Sequence, residues 1–158
     1  FQLVFITGST PSGSGWTVEF TQSTPNTGAT TTPVPVTYPE PTNSPACPAE
    51  YYTADTILYS PGWPGNYPDN VYCIYHVSAE PGKRLLVTFN YVNTEPCCDH
   101  VNVYDGPSIS SPYLGYAAGT ESMLMFNTSG NSVTLKFSSD ASVNYPQGFQ
   151  ATVVAITV

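Results

Sequence analysis

The chain of 158 residues carries 3 Lys or Arg and 11 Asp or Glu, so its formal net charge is −8 and only 9% of its residues are charged. So few cationic side chains exclude a nucleic-acid-binding protein, because Lys and Arg are needed to replace the counterions of a phosphate backbone. No run of 18 apolar residues occurs, so the sequence predicts no membrane insertion. Hydrophobic residues make up 41% beside 16 Pro and 12 Gly, which is typical of a folded chain rich in turns.

The low charge and the cysteines indicate an extracellular, secreted protein. Domains of soluble proteins usually have about a quarter of charged residues, and an even number of cysteines in an acidic chain favours disulfides formed in an oxidising compartment. A zinc site is disfavoured because Cys47, Cys73, Cys97 and Cys98 lack paired CxxC spacing. The chain begins at Phe1 without an initiator Met or a leader, so we expect a processed or excised piece.

Residues 1–22 predict a β-hairpin, because two apolar strands flank a Gly/Ser-rich turn. The segment parallels the end of the same chain, where residues 135–137 and 148–153 have the same order of residue types. An isolated hairpin is marginally stable in water, so its apolar side chains require a partner sheet. These side chains are the predicted assembly contacts Leu3, Phe5, Trp16, Val18 and Phe20.

Residues 23–46 predict an extended linker, since they hold 6 Pro, 7 Thr and 2 Ser in 24 positions. Proline-rich chain extends by at most about 3.1 Å per residue and cannot bury a core. Ser and Thr beside Pro are also typical of O-glycosylated stalks, with a bare linker as the alternative. The candidate O-glycosylation sites are Thr24, Thr27, Thr30, Thr31, Thr32, Thr37 and Thr42.

Residues 47–158 predict an all-β domain of short strands separated by Pro, Gly and Asn turns. Such a pattern favours an antiparallel β-sandwich. The predicted strands are residues 56–59, 71–77, 84–91, 100–104, 122–126, 132–137 and 149–156.

Three blocks in residues 47–158 resemble the CUB domain family of extracellular modules. The first runs from Cys47 through the turn at 60–68, Ser-Pro-Gly-Trp-Pro-Gly-Asn-Tyr-Pro, to Cys73. The middle block is Asp-His-Val-Asn-Val-Tyr-Asp-Gly at 99–106, and the last is Leu-Lys-Phe-Ser-Ser-Asp at 135–140 followed by Gly-Phe-Gln-Ala at 148–151. The resemblance implies a jelly-roll type β-sandwich that works through protein contacts.

The resemblance also implies a disulfide between Cys47 and Cys73. The family's second disulfide has no counterpart, because the turn that should hold the partner cysteine reads Gly-Tyr-Ala-Ala-Gly at 115–119. Cys97 and Cys98 are therefore left to pair with each other or with another molecule. Residues 1–22 resemble the last hairpin of a CUB-like domain, so they are either the remnant of a preceding domain or a donor to a neighbouring molecule by strand addition.

The family resemblance implies a Ca²⁺ site formed by Glu95, Asp99 and Asp140, with oxygens near Ser142 to Asn144 as further ligands. Converging carboxylates repel one another unless a divalent cation lies among them. The interval from Glu95 to Asp99 is shorter than the family usually has. The alternative is that Asp99 only fixes a turn, which is also the role we assign to Asp105 in Asp-Gly-Pro.

No catalytic machinery is predicted. His76 and His100 lie in predicted strands without a nucleophile placed beside them, and the sequence holds no nucleophile elbow, zinc-protease motif or phosphate-binding loop.

Asn127 begins the sequon Asn-Thr-Ser in a polar turn and is the candidate N-glycosylation site. An aromatic group at Trp63, Tyr67, Tyr72 and Tyr75 is interpreted as core and turn packing, with a sugar-binding platform as the alternative.

Two functions follow from these features. The first is a non-enzymatic structural or adhesive protein that assembles through CUB-like modules and glycosylated linkers, with other copies of itself as partners in head-to-tail filaments. The second is a calcium-dependent binding module of a larger secreted or cell-surface protein, which contacts other extracellular proteins or adjacent CUB-like domains.

Overall fold

The computed structural model describes residues 41–142 and 147–157, and all regular structure in these two ranges is β-strand. The predicted hairpin at residues 1–22 and most of the predicted linker lie outside them. Ten strands follow in chain order: β1 Tyr51–Thr53, β2 Thr56–Tyr59, β3 Tyr72–Ser78, β4 Lys83–Asn93, β5 His100–Tyr104, β6 Tyr113–Ala117, β7 Thr120–Glu121, β8 Leu124–Asn127, β9 Ser132–Ser138 and β10 Gly148–Thr157.

The strands form two sheets, which confirms the predicted β-sandwich. Sheet A has the order β1-β3-β9-β5-β6, and sheet B has the order β2-β10-β4, with β7 and β8 both pairing with β4. The pair β1 and β3 is parallel, and the other pairs are antiparallel. The topology therefore brings together strands far apart in sequence, such as β3 with β9 and β2 with β10.

The core lies between the sheets, where alternate side chains of the strands face inward. Phe149 of β10 occupies its centre, because its ring lies 5.6 Å from that of Phe137, 5.8 Å from Tyr75 and 6.0 Å from Phe89. All four side chains are fully buried. Edge-to-face aromatic pairs of this kind each add about 0.5–1.5 kcal/mol beyond the area that they bury.

The structure corrects one predicted strand and adds three. The strand predicted at 122–126 begins only at Leu124, as β8, because Met123 takes a positive φ of 60° between the end of β7 and the start of β8. Strands β1, β6 and β7 were not predicted. Gly115 within β6 has a φ of 149°, and a Cβ there would lie 2.7 Å from the Phe126 ring, so a residue that disfavours strands occupies a place that only glycine fits.

The segment before Cys47 packs on β3. The Asn43 side chain exchanges two hydrogen bonds with the backbone of Ile74, at 2.7 and 3.0 Å, and the Ser44 hydroxyl accepts one from the Tyr72 amide at 2.9 Å. Cys47 and Cys73 form a disulfide, as the family resemblance implies. Contacts of the domain therefore extend at least four residues before this cysteine.

One end of the sandwich collects the loops that carry the acidic residues. Ser138, at the end of β9, pairs with Tyr72 at the start of β3 and with His100 at the start of β5. The chain that precedes β5 and the chain that follows β9 therefore emerge side by side. This alignment sets the geometry of the candidate site.

Candidate metal centre

Three carboxylates converge at this end of the sandwich. Glu95 lies in the loop between β4 and β5, Asp99 directly precedes β5, and Asp140 follows the end of β9. One carboxylate oxygen from each lies within 4.8 Å of the other two. The structure thus brings together the three residues that sequence analysis named, including Glu95 with its short interval.

Asp99 is the buried member of the group, with 1% of its surface exposed. Its Oδ2 accepts a hydrogen bond from the Tyr67 hydroxyl at 2.5 Å, and its Oδ1 accepts one from the Asp140 amide at 2.9 Å. A carboxylate oxygen has two acceptor positions, so each oxygen keeps one for a ligand. These two donors hold the side chain in one orientation.

Tyr67 connects two of the three acidic residues and was not predicted to belong to the site. Its hydroxyl donates to Asp99 and accepts from the Glu95 amide at 3.2 Å. Its ring packs edge-on against Phe137 with centroids 5.0 Å apart. Burial, and secondly the bond to Asp99, raise the pKa of Tyr67 above its usual value, so the hydroxyl remains a neutral donor.

Ser142 supports the exposed side of the group. Its amide and its hydroxyl both lie 2.8 Å from Oδ1 of Asp140, and the hydroxyl also lies 3.2 Å from Oε2 of Glu95. The backbone bond, and then the hydroxyl bond, hold the pKa of Asp140 below its usual value. Asp140 is therefore held as a carboxylate. Asn144, named with Ser142 as a source of further ligands, lies outside the described residues.

A tight turn joins Glu95 to Asp99. The carbonyl of Glu95 accepts hydrogen bonds from the amides of Cys98 at 3.3 Å and Asp99 at 3.1 Å. Cys97 and Cys98, within this turn, form a disulfide with each other. The buried Thr94 hydroxyl donates to the Asp99 carbonyl at 2.9 Å and accepts from the Gly119 amide at 3.0 Å. The turn is thereby tied to Gly119, the last residue of the segment 115–119 in which the family resemblance places the missing cysteine.

The charge of the group is uncompensated at two of its positions. Within the described part of the chain, neither Asp99 nor Asp140 forms an ion pair, and the salt bridge there joins His76 to Glu50 at 3.7 Å. Converging carboxylates favour a bound cation, because each raises the cost of ionising the others. The donor atoms are all oxygens and the nearby cysteines are oxidised, which fits a hard cation such as Ca²⁺ better than Zn²⁺.

The family follows from comparison with known sequences. Residues 47–153 match the family model of the CUB domain. The chain belongs to the CUB domain family. It is 36% identical over 110 residues to mouse Tolloid-like protein 1, covering 67% of this chain and 11% of that protein. It is 34% identical over 117 residues to human cubilin, covering 70% of this chain and 3% of that protein.

Solved structures show the same fold. The extracellular region of zebrafish Gpr126/Adgrg6 matches with a TM-score of 0.60 and 26% identity over 68% of this chain and 14% of that one. The CUB2 domain of MASP-1, solved bound to Ca²⁺, matches with a TM-score of 0.59 and 23% identity over 68% of this chain and 99% of that one.

The CUB domain is a non-catalytic, extracellular protein-interaction module, and its relatives are extracellular or secreted proteins. No helix that could cross a membrane occurs among the described residues.

The two histidines of this CUB domain lie on the outer surface of sheet A. The His76 ring stacks on Tyr51 with centroids 5.0 Å apart and contacts the Thr134 hydroxyl at 3.1 Å. That hydroxyl donates to the Gly106 carbonyl at 2.8 Å, so its proton is not directed at the imidazole. His100 lies edge-on to Tyr116 at 5.2 Å. Neither arrangement brings an activated nucleophile to an imidazole.

The candidate glycosylation site and the aromatic group are the remaining predicted features. Asn127 ends β8 and is exposed, so its amide is open to modification. Trp63 stacks on Tyr59 and contacts Tyr91 edge-on, at 5.9 and 5.3 Å. The aromatic group named from sequence is divided by the structure, because Tyr67 and Tyr75 are buried while Trp63 lies partly exposed.

Proposed function

We propose that this CUB domain is a non-enzymatic, extracellular protein-binding module whose end loops are organised by Ca²⁺ at Glu95, Asp99 and Asp140. The observation that carries the proposal is the convergence of these carboxylates within 4.8 Å. The resemblance to a CUB domain solved with Ca²⁺ supports the same assignment. The ion would supply positive charge that holds the three carboxylates together.

The function of such a site is to fix a surface for a partner. The three residues come from two loops that are distant in sequence, and the ion would join these loops at one end of the sandwich. Carboxylate oxygens left at its edge would accept hydrogen bonds from Lys or Arg of another extracellular protein. Charge-assisted contacts of this kind favour a basic partner over a neutral or acidic one.

Calorimetric titration with Ca²⁺ tests the site. We expect saturable binding of a single ion to the wild-type chain, and loss of this binding in Asp99→Asn and Asp140→Asn. Glu80→Gln is the matched control, since Glu80 is exposed in the turn between β3 and β4 at the other end of the sandwich. Unchanged calcium binding in both Asp variants would exclude the proposed ligands.

A second candidate function is self-assembly into head-to-tail filaments through the hairpin predicted at residues 1–22, which lie outside the described residues. The outer face of sheet B supports it, because Ile57, Thr152, Thr88 and Met125 lie side by side across four strands. Ile57 is 46% and Met125 50% exposed. An apolar hairpin from another copy would cover this row. A contact of this kind does not close unless its rotation forms a ring, so it would grow an open filament.

Deletion of residues 1–22, followed by light scattering, tests the filament. We expect the full chain to grow in mass with concentration and the shortened chain to remain monomeric. The proposed glycans at Thr30, Thr31, Thr32 and Thr37 would limit sideways aggregation of the filament. A glycan at Asn127, two residues after Met125 on β8, would compete with docking. A full-length chain that stays monomeric at high concentration, or a shortened chain that still assembles, would contradict filament formation through the hairpin.

A further inference from the structure

The disulfide between Cys97 and Cys98 lies between two of the proposed cation ligands. Glu95 precedes it by two residues and Asp99 follows it directly, and the amides of Cys98 and Asp99 both donate to the Glu95 carbonyl. The bridge thus closes a ring within a turn whose two ends carry the ligands. Any change in the backbone of this turn alters the separation of the two carboxylates.

We infer that the Cys97–Cys98 disulfide positions Glu95 and Asp99 for the cation, so that reduction of this bridge by a dithiol lowers the calcium affinity. The inference rests on the proposed calcium site and adds a redox control to it. The disulfide constrains the peptide between two adjacent residues. The reduced turn keeps only its hydrogen bonds, so more backbone conformations become accessible and fewer of them hold both carboxylates in place.

The surroundings of the two disulfides make a selective reaction possible. Cys97 is exposed and Cys98 is partly buried, whereas in the other disulfide Cys47 is partly buried and Cys73 is 0% exposed. Access is one of the factors that set the rate of thiol–disulfide exchange. A soluble dithiol therefore reaches the exposed Cys97 more readily than either cysteine of the Cys47–Cys73 bridge.

The reaction balances with a dithiol as the reductant. A thiolate of the dithiol attacks one sulfur of the bridge, the Cys97–Cys98 bond breaks, and a mixed disulfide forms. The second thiol of the reagent then displaces the protein sulfur and closes a cyclic disulfide. Two electrons and two protons pass to the protein, which leaves Cys97 and Cys98 as thiols and the reagent oxidised.

The role is one of positioning, since the sulfur atoms of the bridge are not proposed as ligands. Groups that orient the ligands of a metal typically change its affinity by about 10- to 100-fold when they are removed. Coupling between two equilibria is reciprocal. Calcium should therefore lower the equilibrium constant for reduction of this bridge by the same factor by which reduction lowers calcium affinity.

Calcium titration of the oxidised and reduced chains tests the inference. The chain is reduced with dithiothreitol, and the thiols are alkylated in a parallel sample and mapped by mass spectrometry, with label expected at Cys97 and Cys98 and not at Cys47 or Cys73. We expect calcium to bind about tenfold more weakly after reduction. Equal calcium affinity of the oxidised and reduced chains would overturn the inference and leave the proposed calcium site standing. Absence of calcium binding in both chains would overturn the inference and the calcium site together.

The double variant Cys97→Ser and Cys98→Ser is the matched control, because it keeps the turn length and the Cys47–Cys73 bridge. Its calcium affinity should resemble that of the reduced wild type and should not respond to dithiothreitol. Because the coupling is reciprocal, calcium should also shift the reduction equilibrium of the Cys97–Cys98 bridge. A purely structural role of the bridge would not produce this shift. Redox equilibration in dithiothreitol buffer should show the bridge harder to reduce in saturating calcium than in chelator, and an identical equilibrium in both would overturn the inference.

Discussion

At the scale of single residues, the hydroxyl of Tyr67 joins the parts of the site. It donates to the buried Asp99 and accepts from the Glu95 amide, so one oxygen fixes the buried ligand and the start of the turn. Substitution by Phe removes this oxygen and leaves the Phe137 contact in place. A buried carboxylate then loses one of its two donors.

We expect Tyr67→Phe to lower the free energy of unfolding by about 1–3 kcal/mol, because it leaves buried polar atoms unpaired. Urea denaturation in chelator measures this change. The control is Tyr113→Phe, which removes a hydroxyl from a side chain that is 55% exposed and bonded to Asn102 at 3.3 Å, and which should change stability by less than about 0.5 kcal/mol. Equal effects of the two substitutions would show that the Tyr67 hydroxyl has no special role.

The three candidate ligands could be named from the sequence, whereas the residues that support them could not. Glu95, Asp99 and Asp140 lie in blocks that resemble the CUB family, and the sheet register brings the blocks together. Tyr67 contacts Asp99 across 32 positions of chain, and Ser142 contacts Glu95 across 47. Both contacts depend on how loops distant in sequence approach each other. A hydroxyl has no sequence pattern that reveals its distant partner.

At the scale of elements, the start of β10 is the position most sensitive to its residue type. Gly148 has a φ of 104°, and a Cβ there would lie 1.8 Å from Oγ of Ser60. That hydroxyl accepts a hydrogen bond from the Phe149 amide at 3.1 Å. The close approach therefore ties the turn after β2 to the strand that carries the central aromatic residue of the core.

Gly148→Ala should lower the free energy of unfolding by about 3 kcal/mol, since it adds backbone strain to a steric clash. Thermal unfolding checks this expectation. Gly130→Ala is the matched control, because nothing lies within 4 Å of a Cβ at Gly130 and its φ is not positive. The expectation would be wrong if the two alanine variants melted together.

The long strands were predictable from their residue pattern, whereas the short strands β1 and β7 and the glycine-containing β6 were not. β4 and most of β10 bury alternate side chains, which indicates half-buried strands, whereas β3 and β9 are buried on both faces at their centres and read as short apolar runs. β1 and β7 have three and two residues, which is too short for a pattern. β6 contains Gly115, which weakens the strand pattern. Glycine is required at this position because a Cβ would clash with the Phe126 ring on β8.

At the scale of the whole molecule, a sandwich with a charge-poor surface carries its concentrated negative charge at one end. The net charge of the chain is −8, and two of the converging carboxylates form no ion pair within the described ranges. The fold accounts for this placement, because β5 begins and β9 ends at the same end of the sandwich. A calcium ion bound among these carboxylates would complete this end of the domain.

The melting temperature of the wild-type chain in excess Ca²⁺ and in excess chelator tests that claim most directly. With the ion at 100 times its dissociation constant, the folded state gains about 2.7 kcal/mol, which for a domain of this size raises the melting temperature by roughly 10 °C. Asp140→Ala should melt at the same temperature in both solutions. A wild-type chain whose melting curve is identical in calcium and in chelator would contradict the claim.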